Sequence, residues 1–149
     1  MIIQVGGNAL DCDVEATIAA YSAYSPELCD CCACRNFRMA RNRVFTDPVL
    51  NFFAQFGIDT TKPHESYDIG IDAEMLCDYR GWFHFIGTAI SDEDVVDLAE
   101  NIRVYFITGG ARRPKSFLGQ PSVQMEFELK MPWLVPDPWG SDRRPAIKI

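Results

Sequence analysis

The chain has 149 residues, 48% hydrophobic and 23% charged, with a net charge of −7 and a pI near 4.7. This composition predicts one folded domain, spanning 1–140 with a frayed tail at 141–149, and excludes a disordered chain. It argues against generic DNA or RNA binding, which needs cations to neutralise phosphates. No run of about 18 apolar residues offers a membrane span, and the start MIIQVGGNALDCD lacks a signal-peptide pattern, so the expected compartment is the cytoplasm.

In chain order, MIIQV reads as a short strand stopped by Gly6 and Gly7. Asp13 to Ser25 reads as a helix closed by Pro26, with Val14, Ile18, Ala20 and Tyr21 on its apolar side. The stretch CDCCACRNF follows and holds Cys29, Cys31, Cys32 and Cys34. RNFRMARNRVF then interleaves Arg35, Arg38, Arg41 and Arg43 with apolar residues, predicting a helix with one buried side and a local basic strip on an acidic body. In TDPVLNFFAQFGI, Asp47 is placed to cap a helix, Pro48 suits its first helical position, and Gly57 suits its left-handed end, with Ile58 folding back.

Beyond His64 the pattern turns to strands. YDIGIDAEMLCDY and GWFHFIGTAI read as a hairpin with Arg80 and Gly81 at the turn. SDEDVVDLAEN is an acidic insert, IRVYFIT a strand, GGARRPKSFLGQP a turn-rich link. In SVQMEFELKMPW, Val123, Met125, Phe127 and Leu129 alternate with polar residues, predicting a half-buried strand ended by the prolines that follow. The predicted fold class is α+β: an antiparallel sheet of about four strands with N-terminal helices packed on one face.

Together, CACRNFRMA, LNFFAQFGIDTTKPHESYDIG, YRGWFHFIGTAI and PSVQMEFELKMPW resemble a family of small bacterial proteins of unassigned function. That family is marked by a Cys-x-x-Cys-x-Asn-Phe stretch, a Gly-Ile-Asp-x-x-Lys-Pro turn, a Gly-Trp-(Phe/Tyr)-His-Phe strand and a Glu-Phe-x-x-x-x-Pro-Trp end. The matching positions run from Cys31, Cys34, Asn36 and Phe37 through Gly57–Asp59, Lys62, Pro63, Gly81, Trp82, His84, Phe85 and Gly87 to Glu126, Phe127, Pro132 and Trp133. Phe56 stands where leucine is usual, and Cys29, Cys32 and the acidic insert depart from the pattern. The resemblance implies a shared fold and carries no activity.

The cysteines support three readings. As metal ligands, Cys29, Cys31, Cys32 and Cys34 offer thiolates to zinc, with Cys77, His64, His84 or Cys12 as a remote ligand, because four donors from six residues would strain one tetrahedron. As a redox pair, Cys31 and Cys34 lie beside Arg35 and Arg38, whose charge favours thiolate, although the strand that precedes such a pair in a thioredoxin fold is missing. As packing, they are small buried side chains. His84, in an aromatic strand, is a candidate acid–base group, and its bland alternative is a hydrogen-bonded or surface histidine. Asp92, Glu93, Asp94 and Asp97 lack calcium-loop spacing and read as a solvated face or as a mimic of nucleic-acid phosphates.

The expected role is a non-enzymatic binding domain in which the cysteine cluster, around zinc, orders the arginine helix. Arg35 and Arg38 then face an acidic protein partner. Two rivals are an acidic inhibitor of phage or mobile-element type, such as an anti-CRISPR acting on a nucleic-acid-binding complex, and a thiol enzyme built on Cys31 and Cys34.

Overall fold

The computed structural model describes residues 1–110 and 112–143, so most of the tail expected at 141–149 lies outside the described residues. Seven antiparallel strands form one sheet: β1 (Ile2–Val5), β2 (Asn8–Cys12), β3 (Glu65–Ile71), β4 (Leu76–Ser91), β5 (Val96–Ala99), β6 (Ile102–Thr108) and β7 (Ser122–Pro132). Their spatial order is β1-β2-β4-β7-β6-β5, with β3 also paired to β4. Three short helices, α1 (Val14–Ser22), α2 (Cys32–Ala40) and α3 (Asp47–Ala54), lie between β2 and β3 in sequence. The mixed α and β content stands, but the four-strand sheet is corrected to seven strands, and a hairpin precedes the helices. Gly6 turns the chain at φ 58° straight into β2, so the first strand has a partner that local sequence did not disclose.

The expected turn at Arg80–Gly81 is also corrected, because β4 runs unbroken through both residues. The turn lies at Asp72–Met75, where the Asp72 carboxylate accepts from the Glu74 and Leu76 N–H groups at 2.9 and 3.0 Å. Gly81 serves close approach instead: a Cβ there would strike the Glu65 carbonyl and the Phe127 ring.

β4 organises the molecule. β7 covers one of its edges from Leu76 to Ile86. Along the other edge β3 pairs with Cys77–Trp82 and β2 with Gly87–Ser91. α1 fills the gap between them. The Tyr21 hydroxyl donates to the His84 carbonyl at 2.7 Å and accepts from the His84 N–H at 3.2 Å. The Thr17 hydroxyl accepts from the Ile86 N–H at 2.9 Å, and the Asp13 N–H reaches the Ile86 carbonyl at 2.8 Å. Thr17 is therefore buried while Ile18, expected on the apolar side, is exposed. Asp13 caps α1 through the Ala16 N–H.

α3 begins at Asp47 with Thr46 as its cap residue, one position earlier than the sequence suggests. Its end follows expectation: Gly57 has φ 75°, and the Ile58 N–H returns to the Phe53 carbonyl at 3.2 Å. The core forms where Phe53 and Phe56 meet Phe83, Phe85 and Phe106, with Phe127 against Phe83 and with Val123, Met125 and Leu129 buried as the alternation requires.

Candidate metal centre

The Sγ atoms of Cys29, Cys31 and Cys34 all lie within 4.8 Å of one another. Helix α2 builds this arrangement. It starts at Cys32, inside the cysteine run, with Cys31 as its cap residue; the Cys31 sulfur accepts from the Cys34 N–H at 3.4 Å. One helical turn thus brings Cys31 and Cys34 to one side, and the preceding turn returns Cys29 to them. Two arginines brace that turn. The Arg38 guanidinium donates to the Cys29 carbonyl at 3.0 Å and the Arg35 Nε to the Asp30 carbonyl at 3.0 Å. Arg35 also pairs with Asp137 at 2.9 Å, and Arg38 with Asp30 at 3.6 Å. The residues expected to face a partner thus contribute to the shape of the cysteine turn.

The three thiols differ. Cys29 is exposed, and its pKa is held below the usual thiol value by hydrogen bonds, first from the Cys31 backbone and then from the Cys31 and Cys34 side chains. Cys34 is half-buried, and its pKa is raised, first by burial and then by its hydrogen bonds to Cys31 and Cys29. A cluster with one favoured thiolate and a partly buried neighbour suits a soft cation, which would replace the shared protons.

Cys32 and Cys77 stand outside this group. The backbone N–H of Cys32 donates to Asp142 at 2.7 Å and its thiol to the same carboxylate at 3.1 Å, so that side chain anchors the C-terminal segment. Cys77 is buried in β4 opposite Met131, and burial pushes its thiol to about 11. Cys12 ends β2, with its sulfur 3.5 Å from the Phe56 carbonyl, and is likewise pushed to about 11 by burial. The acidic residues disperse. Asp94 accepts from the Gly7 N–H at 2.8 Å and holds the β1–β2 turn, Asp92 accepts from Thr108 at 2.9 Å, Asp97 sits opposite Arg103, and Glu93 is exposed.

Sequence reasoning missed the histidine pair. His64 immediately precedes β3, and its Nδ1 lies 2.7 Å from Nδ1 of His84. The rings stack at 4.9 Å, with Tyr21 stacked on the other side of His64 at 5.1 Å and Phe117 edge-on at 4.7 Å. Burial lowers His64 to about 3 and His84 to about 4, with the neighbouring His84 and Arg113 charges as further causes respectively. Both rings are therefore neutral at pH 7. The His64 Nε2 is buried without a hydrogen-bond partner among the described residues. The available signal was Pro63-His64 before a strand, combined with a histidine at a buried strand position.

No family model matches the chain, and no curated protein or solved structure matches it.

Proposed function

We propose that this chain is a metal-stabilised, non-enzymatic binding domain whose Cys29, Cys31 and Cys34 hold one zinc-class ion. The mutual reach of the three sulfurs within 4.8 Å carries the reading. Such an ion would fix the irregular connection between α1 and α2 against the arginine-bearing helix, and its partner is an acidic protein surface. The family resemblance and a cytoplasmic location belong to the same proposal. Among the described residues no helix is long and apolar enough to cross a membrane.

Elemental analysis with native mass spectrometry, on protein purified under reducing conditions, tests it. The expected result is about one zinc per chain, lost in Cys31→Ser and kept in Cys77→Ser. No metal, with every thiol free on denaturation, would sink it.

A second reading has one specific observation behind it. Cys29 combines exposure with a lowered pKa beside a higher-pKa Cys34, the pairing expected of an attacking and a resolving thiol. The thiol-enzyme alternative therefore moves from Cys31 and Cys34 to Cys29. Rapid, selective alkylation of Cys29 at pH 7 supports it; equal, slow alkylation of all three thiols removes it.

A further inference from the structure

Three thiolates leave one position of a tetrahedral ion unfilled. A cavity of about 130 Å³ adjoins the cluster, and both Cys29 and Cys34 line it. His64 lines the same cavity, together with Arg38 and Arg41. The buried, unpartnered Nε2 belongs to this histidine. Its other nitrogen is engaged, since a 2.7 Å contact between two Nδ1 atoms requires one proton between them.

From this the geometry points to His64 Nε2 as the fourth ligand, making a Cys3His zinc centre; the inference rests on the metal reading above. When His64 donates its Nδ1–H to His84, the His64 Nε2 carries a lone pair and no proton, the form that binds zinc. His84 then acts as the outer partner that fixes the tautomer and ring plane of a ligating histidine. The ring is already held by Tyr21, His84 and Phe117, so little side-chain freedom is lost on ligation. Three thiolates and a neutral imidazole around a divalent ion carry one net negative charge, and Arg38 and Arg41 are among the residues that line the cavity.

The other remote candidates lack these features. Cys12 and Cys77 are buried elsewhere in the core, and the Nδ1 of His84 is turned to His64. His64 stands outside the 4.8 Å group, so ligation closes the cavity. Ligation therefore requires the exposed connection carrying Leu28 and Cys29 to move towards the start of β3 and uncover the buried Nε2.

Nitrogen-15 NMR of histidine-labelled wild-type protein, with zinc added under reducing conditions, tests this without relying on a variant that must fold. The expected result is a ligation shift at the His64 Nε2, with its Nδ1 still protonated. In parallel, His64→Ala should weaken zinc binding by about 100-fold or more, and His64→Cys should restore it by supplying a thiolate from the same position. Zinc bound with unmoved His64 resonances overturns the fourth ligand and leaves the three-thiolate centre standing. No zinc uptake at all overturns both.

Discussion

Asn36 is fully buried, and all four of its hydrogen-bonding positions are used. Its Nδ2 donates to the Pro132 carbonyl at 3.1 Å and the Tyr79 hydroxyl at 3.4 Å; its Oδ1 accepts from the Leu134 and Val135 N–H groups at 2.6 and 3.3 Å. Asn36→Leu should cost about 3 kcal/mol in urea unfolding, because it strands buried backbone groups. Asn36→Asp should also destabilise, since it keeps the acceptors and loses both donors. Neither Asn36, Thr17 nor Tyr21 announces these duties locally. Their partners lie tens of residues away in the chain, and a polar residue enters a core only where distant groups satisfy it. Cysteine chemistry was more legible: spacing drew attention to Cys29, Cys31, Cys32 and Cys34, of which three cluster. Excluding Cys32 required knowing that helix α2 begins inside the run and turns Cys32 to Asp142.

Among the elements, α1 does the work of a strand. Where β3 has ended and β2 has not begun, its side chains take the hydrogen bonds of the β4 edge. Tyr21→Phe should cost about 1–3 kcal/mol, and Thr17→Val about 1–2 kcal/mol, by leaving buried backbone groups unpaired. Hydrogen exchange should locate the damage: the His84 amide should lose protection in the first variant and the Ile86 amide in the second. Unchanged protection would show that other groups seal this edge. The helix itself was readable from its helix-favouring residues and Pro26, though not its buried side, and α3 from Pro48 and Gly57. The sheet was less so. β2 and β5 have only five and four residues, too short for alternation to stand out, and Gly81 resembled a turn because close packing and turning both favour glycine.

For the whole molecule, the buried histidines set an acid limit. His64 falls from 6.5 to about 3 and His84 from 6.5 to about 4 on folding. As pH drops through 6.5, the unfolded chain takes up these protons while the folded chain resists, so stability is full above that pH and declines between 6.5 and about 4 to 3. Asp72, Asp137 and Asp142, held below 3.8 by hydrogen bonds or an ion pair, add their losses only in the more acidic range. Urea midpoints of the metal-free protein should therefore fall across the histidine window, and His64→Gln with His84→Gln should flatten that slope. A wild-type midpoint that stays level down to pH 4 would show that the rings charge without cost.

The central place of β4 also governs the order in which the chain can mature. As the polypeptide emerges from the ribosome, β2 and β3 can meet β4 early, but β7 spans Ser122–Pro132 and arrives only when most of the 149 residues have been made. Until then Phe83 and Phe85 lack their neighbours on β7, and one backbone edge of a 16-residue strand stands open. Nascent chains paused before Ser122 are therefore exposed to aberrant strand pairing, and their solubility depends on how quickly translation resumes.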